Sequence, residues 1–470
     1  MPLPAQNGHV QNGQPAGAPG DAPAGAPVAA SALPSIFAKA ERFFDPEGDY
    51  ARVRAAGLYP FFRAITVSEG PTAIIDGREV IMAGSNNYLG LTSDPRVQEA
   101  AQSAIRKYGT GCTGSRFLNG TLDLHLELEA RLATYMGKEA CALFSTGYMT
   151  NQGVVQALTA KGDIIFSDKD NHACIVAGQT VSPAETVRYR HNDMAHLRGF
   201  LKRAVEERPD AGRLIVTDGV FSMSGTLADV PGLVALAKEF GAGLVLDDAH
   251  AVGVIGPGGR GSAAVFGLLD DVDLITGTFS KSFASLGGFV VGDATVIDFI
   301  RHSASTHIFS ASMPPANVAT VLACLDILEE QPELLDRLAH ISDYMRDGFR
   351  ALGFDVWASQ TPIIPVVIGE MYTCFAFWKD LLEAGVFSNP VIPPAVPRGQ
   401  ALMRTSYMAS HSDAELDRVL DAFRTVGLRH EIITADAQMG PARLAAMAGT
   451  PGHRSPETGA REPGVHGDSG

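Results

Sequence analysis

The sequence has few charged side chains and no excess of positive charge. Only 19% of its 470 residues are charged, and 37 basic against 52 acidic side chains leave a formal net charge of −15. A nucleic-acid-binding surface requires a basic face, so this balance argues against such partners. A disordered body is also excluded, because 46% of the residues are hydrophobic.

Cysteine is scarce, and its spacing excludes the usual cysteine-based sites. The five cysteines, at 112, 141, 174, 324 and 374, include no C-x-x-C pair. We therefore expect reduced thiols rather than a disulfide framework or a metal site. The N-terminus lacks the cationic and apolar regions of a secretory signal, and no stretch is apolar enough to span a membrane. These absences predict a soluble cytoplasmic protein.

The two ends of the chain differ from its body. Residues 1–38 are rich in proline, alanine and glycine and show little hydrophobic periodicity, and residues 436–470 are similar. Such segments bury too little apolar surface to offset chain entropy, so we expect both to be disordered. Between them we expect an N-terminal segment at 39–90, a large domain at 91–320 and a small domain at 321–435.

The body alternates short apolar runs with helical segments. Runs typical of buried strands occupy 140–144, 163–166, 214–217, 243–246, 274–277 and 288–291. Residues 194–207 and 231–240 have helical spacing, and a further helix runs from Pro95 to Tyr108. This alternation predicts an α/β fold with a mostly parallel sheet. A strand at 363–368 and a helix at 414–425 predict a smaller C-terminal α+β domain.

One lysine has unusual surroundings. Lys281 follows an apolar strand among small and hydroxyl residues, where partial desolvation lowers the pKa of an amine and frees it for reaction. Thr278 and Ser280 lie beside it and would hold a phosphate. Taken alone, the same pattern equally fits a lysine whose stem lies along an apolar surface.

A second strand end carries acids and a histidine. The apolar run 243–246 leads into Asp247, Asp248 and His250, at the edge where open α/β sheets bind ligands. A carboxylate there would pair with a protonated pyridine nitrogen, or it would cap the next turn. A lysine together with a strand-end aspartate is the pair that pyridoxal phosphate requires.

Three other strand ends fit the same cofactor. Gly147 and Tyr148 open a helix whose backbone amides would hold a phosphate, His172 offers a ring that would stack on the cofactor, and Ser222 would reach its phenolic oxygen. Each signal alone is weak. Together the five strand ends favour a site for pyridoxal phosphate.

These motifs carry a family resemblance. Together with residues 87–90, 109–121, 145–151, 187–192 and 389–390, they resemble the α-oxoamine synthases, which are pyridoxal-phosphate enzymes of the aspartate-aminotransferase fold (fold type I). Within that family the sequences of these motifs are similar to those of the bacterial serine palmitoyltransferases. The resemblance implies a homodimer with shared active sites. It also implies a decarboxylative condensation of L-serine with palmitoyl-CoA, or an acyl carrier protein thioester, to 3-ketodihydrosphingosine, the first step of sphingolipid synthesis.

The resemblance also implies a role for each site residue. Lys281 would bind the cofactor covalently and later transfer a proton. Asp247 would pair with the pyridine nitrogen, His250 would reach the phenolic oxygen, and His172 would stack on the ring. The phosphate would be bound by Gly147, Tyr148 and Thr278, and by Ser310 across the dimer interface. The substrate would be bound by Arg404, and by Asn87 from the partner subunit. A peripheral membrane contact would release the lipid product.

Several alternatives stay open on the sequence. One is another member of the family, of the 8-amino-7-oxononanoate synthase, 2-amino-3-ketobutyrate CoA ligase or 5-aminolevulinate synthase type. Residues 256–261 match the G-x-G-x-x-G pattern of nicotinamide-dependent oxidoreductases, although Pro257 and Arg260 interrupt it. A non-catalytic partner subunit is disfavoured by the presence of Lys281.

Overall fold

The computed structural model describes residues 36–434. Both ends were expected to be disordered. Residues 1–35 of the first end and the whole of 436–470 lie outside the described residues. The chain divides after Tyr59 into two compact units. No helix among residues 36–434 combines the length and hydrophobicity needed to cross a bilayer.

The described part of the first unit is a pair of short helices with an aromatic cluster. These helices are α1 (Ala38–Phe43) and α2 (Asp49–Ala55). The rings of Phe44 and Tyr50 meet edge to face with centroids 4.9 Å apart, and the guanidinium of Arg54 lies 5.0 Å from the Tyr59 ring centroid. Aromatic edge contacts and cation–π contacts thus organise this segment.

The second unit opens with a small sheet. It contains β1 (Ile65–Glu69), β2 (Thr72–Ile75) and β3 (Arg78–Met82), which pair antiparallel in that order. Strand β12 (Val386–Phe387), from the C-terminal part of the chain, pairs with β3 in parallel.

A seven-stranded sheet forms the centre of this unit. Its strands are β4 (Ala140–Phe144), β5 (Ile164–Asp168), β6 (Glu185–Tyr189), β7 (Arg213–Asp218), β8 (Gly243–Asp247), β9 (Leu274–Thr278) and β10 (Gly288–Gly292). Their order is β4-β10-β9-β8-β7-β5-β6, and only β10 runs antiparallel to its neighbours. The predicted mostly parallel sheet is therefore confirmed, with all six predicted strands.

Strand β6 was missed for a physical reason. It lies at the edge of the sheet, beside β5 alone, and its residues Glu185 and Arg188 are exposed. An edge strand with a solvent-facing side does not read as a continuous apolar run.

Helices connect the strands and cover the sheet. They are α3 (Pro95–Tyr108), α4 (Asp123–Tyr135), α5 (Gly147–Leu158), α6 (Ala173–Val181), α7 (Met194–Glu207), α8 (Val230–Phe240), α9 (Ser262–Val265), α10 (Ala294–Ser303), α11 (Ser305–Ile308) and α12 (Pro315–Glu330). The predicted start of α3 is confirmed: Asp94 accepts a hydrogen bond from the Arg96 amide, and Gly109 ends the helix at φ 83°.

The C-terminal part forms a smaller α+β domain, as predicted. Its sheet is antiparallel, in the order β11 (Ile363–Gly369), β14 (Ala401–Ser406), β13 (Asn389–Val391). The helices α13 (Glu333–Ala351), α14 (Met371–Glu383) and α15 (Asp413–Arg429) share a buried core with it, formed around Phe349, Phe377, Trp378 and Phe423. Helix α12 runs through the predicted boundary at 320–321 and packs on α3 and α4.

The topology brings five strand ends to one edge. Because β4, β5, β7, β8 and β9 all run in one direction, their carboxyl ends meet there. Asp218 pairs with Asp247 in the β7–β8 register, and Gly288 at the start of β10 pairs with both Phe144 and Thr278.

Candidate active site

The turn between β4 and α5 forms a narrow cradle. Thr146 caps α5 by accepting a hydrogen bond from the Met149 amide, while the amides of the first helical turn have no partner within the helix. A Cβ atom at Gly147 would lie 2.7 Å from the Cβ of Thr278, so only glycine allows this approach. The hydroxyl oxygens of Thr278 and Ser280 are 2.9 Å apart. The structure thus brings together Gly147, Thr278 and Ser280, an arrangement suited to an anion.

Tyr148 adjoins this cradle through its backbone. Its side chain is exposed, so the part of Tyr148 that the cradle offers to an anion is its amide in the first turn of α5.

Lys281 lies just beyond β9 with its amine in the interior. Burial, with a smaller contribution from the positive charge of Arg404, lowers the pKa of this amine to about 8, while the charge of Asp247 opposes the shift. At pH 8 about half of the Lys281 amines are neutral, whereas an ordinary lysine is almost wholly protonated. The side chain is therefore a nucleophile and a proton acceptor near neutral pH.

Asp247 ends β8 and is held by two donors. Its Oδ2 accepts a 2.7 Å hydrogen bond from Asn151 Nδ2, and its Oδ1 accepts a 3.0 Å bond from the Ala249 amide. Asn151 in turn accepts a 2.8 Å bond from the Thr276 hydroxyl. The sequence analysis missed Asn151, although its position four residues after Gly147 places both on one face of α5.

Asp218 is a second buried carboxyl beside the first. Burial and the neighbouring charge of Asp247 raise the pKa of Asp218 well above its usual range. Two carboxylates in one buried site do not readily both ionise, so burial beside Asp247 favours the protonated form of Asp218. It also accepts a 2.7 Å hydrogen bond from the His172 amide. Its place at the end of β7 was a signal that the sequence analysis did not use.

His172 precedes α6 and caps it. Its Nδ1 accepts a 3.2 Å hydrogen bond from the Cys174 backbone amide, and the residue is exposed. Partial desolvation of the ring and the charge of Lys281 lower the pKa of His172, while Asp247 opposes the shift. The ring is therefore neutral at physiological pH.

His250 is buried below the same edge. Its Nδ1 lies 2.8 Å from the hydroxyl of Tyr88. Burial drives the pKa of His250 well below its usual value, and the charges of Lys281 and Arg404 add to this effect. Tyr88 belongs to the 87–90 motif, from which the sequence analysis had selected Asn87 instead.

Arg404 reaches the site from the C-terminal sheet. Its side chain is buried, its Nε donates a 2.6 Å hydrogen bond to the Ser222 carbonyl, and its Nη2 donates a 3.1 Å bond to Asn86 Oδ1. A buried, oriented guanidinium is suited to a carboxylate. The structure thus brings Ser222 to Arg404 through its backbone oxygen. Asn86 had no signal beyond its place beside Asn87.

Two predicted residues lie apart from this group. The side-chain Nδ2 of Asn87 donates a 2.8 Å hydrogen bond to the Thr92 hydroxyl, and its Oδ1 is buried without a partner. Ser310 lines a small cavity with Arg116, Ser145 and His307. Within residues 36–434 of one chain, no hydrogen bond joins Asn87 or Ser310 to Lys281 or its neighbours. Both are residues for which the sequence predicted a role across a subunit interface.

The loop at 256–261 does not open a dinucleotide-binding helix. It contains a single 3₁₀ turn (Pro257–Gly259) followed by the four-residue helix α9. A fingerprint of that kind requires a strand that leads directly into a long helix, which the residues here lack.

Comparison with known proteins places the chain in a family. The model of the aminotransferase class I and II family matches residues 78–423. The serine palmitoyltransferase of Bacteriovorax stolpii is 49% identical over 371 residues, which cover 79% of this chain and 88% of that protein. The 8-amino-7-oxononanoate synthase of Geobacter sulfurreducens is 43% identical over 383 residues, covering 81% and 97%.

Structural similarity agrees with the sequences. The solved structure of Sphingomonas wittichii serine palmitoyltransferase superposes with a TM-score of 0.82 at 36% identity, covering 85% of this chain and 100% of that one. The predicted aminotransferase-like fold is thereby confirmed. The chain belongs to the aminotransferase class I and II family and, within it, to the α-oxoamine synthases that resemble serine palmitoyltransferase.

Proposed function

We propose that the protein is a serine palmitoyltransferase that uses pyridoxal phosphate to join L-serine to a long-chain acyl-CoA. A bond forms between the serine α-carbon and the acyl carbonyl carbon, the thioester C–S bond breaks, and the serine carboxylate leaves as CO₂. The products are 3-ketodihydrosphingosine, CoA and CO₂. The observation that carries this proposal is the position of Lys281 just beyond β9, beside the cradle of Gly147 and Thr278 and next to the strand that ends at Asp247.

The residues present fit pyridoxal phosphate. Lys281 supplies the amine that would attach to the aldehyde, and Asp247 supplies an acceptor for the pyridine nitrogen. His172 would lie against the ring, and His250 and Ser222 would approach the phenolic oxygen. The phosphate would lie in the cradle of Gly147, Tyr148, Thr278 and Ser280. This cradle is narrow, because a Cβ atom at Gly147 would lie only 2.7 Å from the Cβ of Thr278. When bound, this cofactor supplies an electron-withdrawing ring that stabilises negative charge at the α-carbon of an amino acid.

The protein's own groups then bind and orient the amino acid. Arg404 is held by Ser222 and Asn86, so that its guanidinium is already oriented to take the serine carboxylate. Lys281, with its lowered pKa, would accept the proton from the serine α-carbon at Nζ. We assign Lys281, His172, Asp247 and His250 as catalytic residues and Arg404 and Asn87 as substrate-binding residues.

We further propose a homodimer with shared active sites. Phe117 and Leu118, in the 109–121 motif, and Phe309, beside Ser310, are large apolar side chains with 48%, 76% and 84% of their surface exposed. Exposed apolar side chains of this kind favour a protein interface. In such a dimer, Ser310 and the unpartnered Oδ1 of Asn87 would act in the site of the other subunit.

Complementation tests the shared site. If Asn87 acts from the partner subunit, mixed dimers of Asn87→Ala and Lys281→Ala chains contain one intact site, and mixing two inactive proteins restores activity. Failure of the mixture to regain activity, although two differently tagged chains co-purify as mixed dimers, contradicts the shared arrangement.

The cellular setting and the domain division are part of the same proposal. All five cysteines are unpaired, which supports a cytoplasmic location. The division at 39–90, 91–320 and 321–435 is supported by two of the three sheets, since β4 to β10 lie within 91–320 and β11, β13 and β14 within 321–435. Strand β12 pairs instead with β3, and helix α12 crosses the boundary at 320–321. We also propose a peripheral membrane contact for release of the lipid product.

A substrate panel tests the function directly. Purified protein with pyridoxal phosphate is offered serine, glycine or alanine, each with palmitoyl-CoA, a palmitoyl acyl carrier protein or a short-chain acyl-CoA, and products are identified by mass spectrometry. We expect 3-ketodihydrosphingosine from serine and palmitoyl-CoA, its loss in Lys281→Ala, and its retention in the exposed control Lys161→Ala. Preference for glycine or alanine with a short acyl group would instead overturn the assignment and make the protein another type of α-oxoamine synthase.

A further inference from the structure

The thiol of Cys174 lies at the centre of the site and has no part in the function proposed so far. Cys174 is 3% exposed, in the first turn of α6, two residues after His172. Its Sγ lies 2.8 Å from His172 Nδ1 and 3.6 Å from Asp247 Oδ2, and it accepts a 3.3 Å hydrogen bond from Asn151 Nδ2. We propose that Cys174 is a positioning residue that holds the His172 imidazole in the neutral form with its proton on Nε2.

The contacts at Nδ1 determine which ring nitrogen is protonated. The backbone amide of Cys174 donates to Nδ1 over 3.2 Å, so this nitrogen is an acceptor. A nitrogen that accepts a hydrogen bond carries no proton of its own in the neutral ring, which leaves the proton on Nε2. The thiol at 2.8 Å then donates its proton to the same Nδ1.

The thiol is a donor because it stays protonated. Burial raises the pKa of the Cys174 thiol, and the negative charge of Asp247 raises it further. Asp247 Oδ2 is the other acceptor near the sulfur, but it is farther away and already accepts the Asn151 amide. The sulfur therefore connects the histidine and the aspartate that face the cofactor site.

The charged groups around the ring favour the same neutral state. The charge of Lys281 lowers the pKa of His172, and the charge of Asp247 raises it. Asp218 accepts a hydrogen bond from the His172 backbone amide, and its own pKa is raised because burial disfavours a second negative charge there. Protonation at Nδ1 would also break the hydrogen bond that the Cys174 backbone amide donates to this nitrogen. His172 is thus a neutral donor at Nε2, able to bind a carboxylate oxygen of the substrate. This last step rests on the proposed function; the protonation state of the ring does not.

Three variants separate the thiol's hydrogen bond from its volume. Cys174→Ser keeps a donor at the same place, because the shorter C–O bond moves the donor atom only slightly away from Nδ1. Cys174→Ala removes the donor, and Cys174→Val removes it while keeping the volume if the alanine variant does not fold. Cys324→Ala is the matched control, since Cys324 is also buried but donates to the Phe283 carbonyl, in contact with none of these residues.

The primary readout is the protonation pattern of the ring. Holoenzyme with ¹⁵N-labelled histidine rings is studied by two-bond ¹H–¹⁵N correlation NMR, with the His172 signals assigned by their loss in His172→Gln. We expect the Nε2–H form in the wild type, in Cys174→Ser and in Cys324→Ala. In Cys174→Ala or Cys174→Val, loss of one hydrogen bond should raise the share of the Nδ1–H form about 5-fold. An unchanged share, or a serine variant that behaves like alanine, overturns the proposal.

Kinetics give a second readout. We expect kcat/KM for serine to fall about 5-fold in Cys174→Ala and to recover in Cys174→Ser. If no variant or wild-type protein converts serine, the proposed function fails while the NMR result still decides the role of Cys174. If product forms but the share of the Nδ1–H form of His172 is the same in all Cys174 variants, the positioning role alone is wrong.

Discussion

The side-chain amide of Asn151 donates a 2.7 Å hydrogen bond to Oδ2 of Asp247. This bond joins the helix that begins at the cradle to the strand end that carries the acid, and the Thr276 hydroxyl fixes the other side of the same amide. The orientation of the buried Asp247 carboxylate therefore depends on a residue of α5. Any ligand that pairs with Asp247 meets a carboxylate that is already positioned.

Replacement of Asn151 should weaken cofactor binding. Asn151→Ala removes a hydrogen bond to a buried carboxylate, which contributes about 1.5–3 kcal/mol, so we expect the dissociation constant for pyridoxal phosphate to rise about 10- to 100-fold. Absorbance titration of cofactor-free protein measures this constant. Gln152→Ala, the next residue on the same helix, is the control. Equal affinities of the two variants would show that Asn151 does not support Asp247.

The amine of Lys281 should titrate far below other lysines. Since burial disfavours the cation, Lys281 is charged below and neutral above a pH of about 8, against 10.5 for an ordinary lysine. Cofactor-free protein is reductively methylated with ¹³C-formaldehyde, and each methylated lysine is followed by NMR as the pH is raised. We expect the resonance that is absent in Lys281→Ala to have its midpoint about 2 pH units below the others. A common midpoint for all lysines contradicts the buried environment of Lys281.

A methyl group at Gly147 should close the cradle. In Gly147→Ala the new Cβ would lie 2.7 Å from Thr278 Cβ and 2.8 Å from its Oγ1, so either the turn at residue 147 or the end of β9 must shift. Overpacking of this kind destabilises by about 1–3 kcal/mol, and we expect a lower unfolding midpoint with weaker binding of inorganic phosphate and of pyridoxal phosphate. Gly199→Ala is the matched control, because a Cβ on that helical glycine meets open space. Wild-type affinity in Gly147→Ala would place the phosphate elsewhere.

Replacement of Arg404 by lysine should separate substrate binding from cofactor binding. The lysine keeps the positive charge but loses the planar fork that donates to Ser222 and Asn86. We expect KM for serine to rise about 10-fold or more, with cofactor absorbance unchanged. The exposed Arg424→Lys is the control. Unchanged KM in Arg404→Lys would assign the serine carboxylate to another residue.

Local pattern sufficed for much of the fold and for the strand ends of the site. A strand buried on both faces is a short apolar run, and parallel strands present their carboxyl ends at one edge. For that reason the six runs, the bounds of α7 and the neighbourhood of Lys281 and Asp247 were visible along the chain. The edge strand β6 was not, because its solvent-facing residues interrupt the run.

The contacts that give each group its chemistry depended on packing. Asn86 meets Arg404 across 318 residues, and Tyr88 meets His250 across 162, separations at which no spacing rule applies. The raised pKa of Asp218 and the lowered pKa of Lys281 arise from burial beside particular charges, which exists only after the sheet and the C-terminal domain have come together. Residue types and strand ends are local properties of the chain; their desolvation and their partners belong to the folded molecule.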